Sequence, residues 1–283
     1  MNQPTTIHTL GPIDTYSGAA SIAMNRKYDL GAPITPHKTI EGAIEATAND
    51  PNSKGCVALE NSIGGAVLQT YDTLVQYKNL AIVAETILPI RHALCSTGTD
   101  IGGIKKLTSH IQALTQCGKY IRANLPNAKI VEATSTAAAA AGVTDPTDAC
   151  ISSIGAAKKY KLNILAECIN NVPSNQTKFA LLGHRGEESS KGDQNSTMIC
   201  IVLKNEAGAL HRATSLLAAA GINMTHISSR PIPENVGEYM FYIEMDGHPT
   251  EPNVGDVLRG LRSMAKSMRV LGGYEKPTIE QER

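Results

Sequence analysis

The stretch Gly55-Cys-Val-Ala-Leu-Glu-Asn-Ser-Ile-Gly-Gly65 carries most of the information on the fold. Gly55–Leu59 is a short run of small and apolar residues, the pattern of a strand buried on both faces. Glu60, Asn61 and Ser62 then break the run, and Gly64 and Gly65 lead into a helix-like stretch through Thr70, Asp72 and Leu74. Glycines at such a place let the backbone approach a ligand closely or simply turn. A buried strand that opens through a polar turn into a helix is the repeating unit of an α/β sheet, and ligands of such sheets bind beyond the carboxyl ends of the strands.

The same alternation continues on both sides. Ile7–Leu10, Ala81–Leu88 and Ile130–Glu132 read as strands, and Thr39–Ala48, Ser109–Ala123 and Thr136–Ala141 as helices, with a further helix opening near Ser17. This predicts α/β units around a largely parallel sheet over residues 1–185. His184–Asn195 (HRGEESSKGDQN) is polar throughout with two glycines and marks a domain boundary. Beyond it the order strand Ser196–Leu203, helix Gly208–Ala220, strands Asn223–Arg230 and Glu238–Met245, helix Val254–Ala265 and strand Ser267–Leu271 spells βαββαβ, a ferredoxin-like unit over 195–275.

Composition narrows the function. Twenty-six Lys plus Arg balance twenty-six Asp plus Glu among 283 residues, so the chain lacks the cationic excess that nucleic acid or an anionic membrane surface demands. At 42% hydrophobic and 18% charged residues it is globular, and with two Phe and no Trp its core must be aliphatic. No run is long enough to span a bilayer and no secretory signal opens the chain. The cysteines, Cys56, Cys95, Cys117, Cys150, Cys168 and Cys200, form no CxxC pair and read as reduced, buried side chains of a cytoplasmic protein.

Four segments could carry chemistry. Leu10–Ser17 places Thr15 and Ser17 between a strand and a helix N-terminus, where backbone N–H groups can hold an anion or Ser17 can serve as a cap. Glu60–Gly65 is the second. In the third, Glu132–Ala137, Ser135 and Thr136 enter an Ala-rich helix. In the fourth, Asn175–Leu182, Thr177 and Lys178 precede an apolar strand, and in an extended chain these neighbours point to opposite faces. His110 and Gln112 open another helix, with no spacing that makes them a dyad. Metal-ligand pairs, Walker loops and GxGxxG are missing from the sequence, so no metal or nucleotide cofactor is expected.

Taken together and in order, LGPxxTYS (Leu10–Ser17), ENSIGG (Glu60–Gly65), SHxQALxQC (Ser109–Cys117), STAAAA (Ser135–Ala140) and NxTxF (Asn175–Phe179) resemble the signature segments of the prephenate dehydratase family. Gly208-Ala-Leu210, Ser229-Arg-Pro231 and Leu271-Gly-Gly-Tyr274 resemble its ACT regulatory domain. The resemblance implies two lobes hinged like a type II periplasmic-binding protein with an active site in the cleft, followed by the ACT domain. It implies a cofactor-free conversion of prephenate to phenylpyruvate on the route to phenylalanine. Thr177 would be the key catalytic residue, with Asn61 and Ser62. Thr15, Ser17, Glu60, Ser135, Thr136, Lys178 and Phe179 would bind substrate. Gly208, Ala209, Leu210, Ser228, Ser229, Arg230 and Pro231 would bind phenylalanine between ACT domains of a homodimer or homotetramer. The length leaves room for a monofunctional enzyme. The chain departs from the family pattern at Asp14 (glycine), Ile111 (proline), Lys178 (arginine) and Ser228 (glutamate). A prephenate decarboxylase that does not aromatise the ring and a non-catalytic sensor are the alternative readings.

Overall fold

In the computed structural model, residues 3–187, 189–232 and 237–279 are described. The first lobe is built from β1 (Ile7–Leu10), α1 (Tyr16–Lys27), β2 (Ile34–His37), α2 (Ile40–Asn49), β3 (Lys54–Asn61), β4 (Gly65–Ala66), α3 (Leu68–Leu74) and β5 (Leu80–Pro89). The chain then leaves to form a second lobe from β6 (Ala93–Ser96), β7 (Lys106–Ser109), α4 (Ile111–Gln116), α5 (Gly118–Asn124), β8 (Lys129–Glu132), α6 (Thr136–Ala141), β9 (Asp148–Ser152), α7 (Ile154–Lys159) and β10 (Asn163–Ala166). It returns to the first lobe as β11 (Gln176–His184). Two crossing segments thus join the lobes. They are tied to each other by Ile90 N–H to Asn175 O (2.8 Å), Asn170 Nδ2 to Ile90 O (2.9 Å) and His92 N–H to Asn170 Oδ1 (2.7 Å). This is the expected arrangement of two lobes joined by two crossing segments.

The expected largely parallel sheet is corrected to a mixed one. β1 runs parallel to β2 and β3, but β11 is antiparallel to both β3 and β5. The cause is the excursion: the chain leaves the first lobe at the end of β5 and re-enters at that same end, with Gln176 opposite Pro89, so β11 runs back against β5. The expected single helix Ser109–Ala123 is likewise two helices. Asn171 interrupts the ladder, its N–H taking Gln116 O (2.6 Å), its Nδ2 taking Thr115 O (3.0 Å) and its Oδ1 accepting Lys119 N–H (2.9 Å).

The third unit comprises β12 (Asn195–Leu203), α8 (Ala209–Ala219), β13 (Met224–Pro231), β14 (Tyr239–Asp246), α9 (Pro252–Met264) and β15 (Ala265–Glu275), in the expected βαββαβ order. Its sheet is continuous with that of the first lobe, in the order β13-β14-β12-β15-β5-β11-β3-β1-β2. The junction is the pairing of Gly272 with Ile82. A Cβ on Gly272 would lie 2.2 Å from Ile82 O, so only glycine permits the strands to meet. The polar stretch after β11 is no free linker. Ser190 N–H donates to Val83 O (2.7 Å), Ser190 O accepts Glu275 N–H (3.0 Å), and Lys54 pairs with Glu187. Glu188 within it lies outside the described residues.

Packing follows the sheet. One apolar cluster combines Val57, Leu59, Tyr71, Leu74, Leu80 and Ile82 of the first lobe with Met198, Cys200, Tyr242, Leu271 and Tyr274 of the third unit. Five cysteines are buried as expected. Cys168 is exposed, a correction, because it sits in the crossing back to β11 with a left-handed φ of 52°.

Candidate active site

The cleft between the lobes encloses a cavity of about 370 Å³. Thr177, in β11, lies opposite Asn61 at the end of β3. The Asn61 amide has one possible orientation, because its Oδ1 accepts the N–H groups of Ile63 (3.1 Å) and Gly64 (2.9 Å). Its Nδ2 therefore donates, to Asn175 Oδ1 (2.8 Å), Thr177 Oγ1 (2.9 Å) and Gln176 O (3.1 Å). The turn Glu60–Gly65 is thus folded around Asn61. Thr177, only 8% exposed, uses its oxygen as an acceptor and keeps its own proton for whatever occupies the cavity.

Sequence reasoning missed the continuation of this network. Asn175 Nδ2 donates to Gln116 Oε1 (3.1 Å), which also accepts from His92 Nε2 (3.0 Å). Because a carbonyl oxygen only accepts, His92 carries its proton on Nε2 and leaves Nδ1 as a bare acceptor, for which no partner is present. Burial lowers the His92 pKa and keeps the ring neutral. Gln116 and His92 both line the cavity. Gln116 lies within the motif Ser109–Cys117 and could have been found there. His92 stands alone in sequence, and only folding gives it meaning.

Thr15, Ser17, Ser135, Thr136 and Phe179 also line the cavity, with His110 and Gln112. Thr15 rather than Ser17 precedes α1, and its hydroxyl donates to Pro12 O (2.7 Å), so it leaves the first N–H groups of that twelve-residue helix uncapped by a side chain. Ser135 and His110 cap α6 and α4, accepting from Ala138 N–H (2.9 Å) and Gln112 N–H (3.3 Å).

Three residues assigned to the site stand elsewhere. Lys178 lies on the opposite face of β11 from Thr177, as strand alternation requires. Its Nζ bonds Glu244 Oε2 (2.7 Å) in β14 and approaches Glu85 Oε2 (3.9 Å) in β5. Glu60 likewise turns away from Asn61 and meets His226 Nδ1 of β13 at 3.3 Å. Ser62 is a staple, accepting Gln176 N–H (3.0 Å) while its own N–H donates to Gln176 O (2.9 Å), and does not line the cavity. Asp14 adds no free negative charge to the cleft, since Lys159 Nζ (2.5 Å) and the Tyr160 hydroxyl (3.2 Å) of the second lobe hold it. Among the described residues the only lysine or arginine lining the cavity is Lys38, at the β2–α2 connection, and it has no ion partner among them.

Behind the site, Lys178, Glu85, Glu244 and Tyr274 form a buried cluster between the lobe and the third unit. Burial, reinforced by Glu244, raises the Glu85 pKa to about 8, so this carboxyl is predominantly protonated at neutral pH. Burial works against the Lys178 ammonium, but Glu85 and Glu244 outweigh it and hold its pKa above the usual range. The Tyr274 hydroxyl donates to Glu244 Oε1 (3.2 Å).

In the third unit, Gly208 adopts a left-handed φ of 78° ahead of α8, and Ala209 and Leu210 line a pocket of about 140 Å³ with Tyr239 and Phe241. Ser228, Ser229, Arg230 and Pro231 occupy the edge strand β13 and do not themselves line that pocket, although Ser229 and Pro231 pair with Phe241 and Tyr239, which do. Arg230 instead forks onto Asp72 of α3, with Nε 3.2 Å from Oδ1 and a second contact from Nη2 to Oδ2.

A family model for prephenate dehydratase matches residues 7–187, and one for the ACT domain matches residues 197–262. The chain belongs to the prephenate dehydratase family. It is 34% identical over 270 residues to the prephenate dehydratase of Amycolatopsis methanolica, covering 94% of this chain and 87% of that one. The solved prephenate dehydratase of Arthrobacter aurescens, in complex with L-Phe, superposes with a TM-score of 0.86 at 32% identity, covering 96% of this chain and 90% of that chain. A structure described as GqqA, a novel type of quorum quenching acylase, superposes with a TM-score of 0.83 at 26% identity over 95% of this chain and 97% of that chain. Among the described residues no helix is long and apolar enough to cross a membrane.

Proposed function

We propose that this cleft converts prephenate to phenylpyruvate. Prephenate is a dianion with a ring carboxylate, a ring hydroxyl and a pyruvyl side chain. The reaction breaks the bond from the ring to its carboxylate and the bond from the ring to its hydroxyl. The electron pair of the first becomes part of the aromatic ring as the second leaves. One proton is taken up, and phenylpyruvate, carbon dioxide and water result. Aromatisation supplies the driving force, so the protein has to assist the departing oxygen and hold the side-chain carboxylate.

The observation that carries this reading is the Asn61–Thr177 pair. Thr177 offers its proton to the leaving hydroxyl, and the Asn61 N–H already directed at Oγ1 stabilises the charge that grows there as the proton moves. A threonine hydroxyl is a weak acid in water, and this polarising neighbour is what it requires. The apolar wall formed by Ile90, Phe179 and Ala113 suits a ring carboxylate that must shed its charge as carbon dioxide. Lys38 and the uncapped N–H groups of α1 suit the side-chain carboxylate.

Residues 1–185 form the catalytic unit in this reading and 195–275 the regulatory one, in a cytoplasmic homo-oligomer. Phenylalanine is its effector, as the L-Phe in the Arthrobacter structure suggests. The position of Ser228–Pro231 on the sheet's edge strand β13 supports an effector site completed by a second copy. Purified protein given prephenate is expected to produce phenylpyruvate, read by its ultraviolet absorbance in alkali. Prephenate loss without that absorbance would indicate decarboxylation alone, and no loss would remove the assignment.

A further inference from the structure

A second cavity, of about 560 Å³, opens at the seam between the catalytic and ACT units. Among the described residues four cations line it and no acidic residue does: Lys78 from the turn between α3 and β5, Arg185 just beyond β11, Arg262 from α9 and Arg269 from β15. In a chain with 26 basic and 26 acidic residues this is a marked local imbalance, and nearby cations such as Lys54 and Arg230 do find carboxylates. Met240 and Met268 give the cavity apolar ground.

Two of the cations are fixed by backbone. Arg269 donates from Nη1 to Leu74 O and Val75 O (3.1 Å each) and from Nη2 to Tyr77 O (2.8 Å) and Leu80 O (2.6 Å). Arg185 donates from Nε to Lys78 O (2.8 Å) and from Nη2 to Val270 O (2.7 Å), which leaves Nη1 unspent. These bonds hold two guanidinium groups close enough to repel each other, and among the described residues no carboxylate relieves them: burial and Arg185 both lower the Arg269 pKa. Lys78 and Arg262 are exposed and have no ion pair among the described residues, so their donors remain available.

We propose that the seam cavity binds a small organic anion, with a carboxylate or phosphate met by Lys78, Arg262 and Arg185 Nη1 and an apolar body resting on Met240 and Met268. The volume is that of ordinary ligand sites, and guanidinium groups match both anions in planar, charge-assisted pairs. An occupant would touch the α3–β5 turn and β15 at once.

The test is calorimetric titration of the full chain at low salt with phenylacetate, phenyl phosphate and inorganic phosphate. At least one aromatic anion is expected to bind saturably and at least tenfold more tightly than inorganic phosphate. Whether phenylacetate or phenyl phosphate binds separates the carboxylate from the phosphate. The double variant Lys78→Ala/Arg262→Ala, with an unchanged melting temperature, should lose that binding tenfold or more. Aromatic anions binding no better than inorganic phosphate, or equally well to the double variant, would overturn the site. The readout is binding, so it stands apart from the outcome of any turnover assay.

Discussion

At the residue scale, the proposed reaction rests on the hydrogen-bonded pair Thr177 and Asn61, in which one would polarise the other. Thr177→Ala removes the donor to the leaving oxygen, and kcat is expected to fall by roughly 10²–10³-fold, the cost of losing one well-placed donor, with KM nearly unchanged. Thr177→Ser keeps the hydroxyl and should retain most of the rate; an inactive Ser variant with intact fold would count against the assigned role. Lys38 makes a different prediction. As a carboxylate binder used equally in ground and transition states, Lys38→Ala should raise KM about tenfold, or ~1.4 kcal/mol, with kcat little altered. A fall in kcat alone would place Lys38 elsewhere in the mechanism. Thr177 and Asn61, which the structure brings together in the cleft, could be singled out because they sit in ordered motifs. Lys178 was misplaced because its neighbour's role was extended to it across a strand whose side chains alternate. Lys38 has no motif around it, and its importance comes from the cleft walls that folding assembles.

At the scale of the element, β11 has two working faces. Thr177 and Phe179 face the cleft, while Lys178 reaches into the buried cluster with Glu85, Glu244 and Tyr274. The cluster gives stability a definite pH dependence. Glu85 takes up its proton below about 8 in the folded chain and below about 4.5 when unfolded, near the ordinary glutamate value. Between those limits the folded state binds more protons than the unfolded one, so this group's contribution to stability falls as pH rises from about 4.5 to 8. Glu85→Gln keeps the shape and removes the titration. Relief of ~2 kcal/mol would raise Tm by about 4–8 °C at pH 8.5 in a protein of this size, and the gap should close towards pH 5. Equal melting curves at both pH values would show that Glu85 does not carry the proton. Sequence could locate β5 and β11 but not this cluster, nor their antiparallel pairing, because both depend on the chain returning from an 85-residue excursion between Ile90 and Gln176.

Over the whole molecule, the two units recognised as separate in sequence share one sheet and one apolar core. The polar stretch after β11 looked like a boundary because it lacks periodicity, yet Ser190 bonds both β5 and β15 and so zips the units together. Two of the residues that tie the ACT unit to the catalytic strands are immediate neighbours of the Asn61–Thr177 pair: Glu60, which meets His226, precedes Asn61, and Lys178, which meets Glu244, follows Thr177. A movement of β13 or β14 therefore acts on the backbone that positions Asn61 and Thr177. The Arg230–Asp72 fork is the most exposed of these side-chain links, joining β13 to α3. Cutting it from the catalytic side, with Asp72→Asn, leaves the cleft residues untouched. Basal kcat and KM for prephenate are expected to stay within about twofold, while the L-Phe concentration for half-inhibition rises about fivefold, a coupling loss of ~1 kcal/mol. Inhibition curves on the parent and the variant check this directly. An unchanged midpoint would mean that the effector signal travels through Glu60–His226 and Lys178–Glu244 alone, without the contribution of α3.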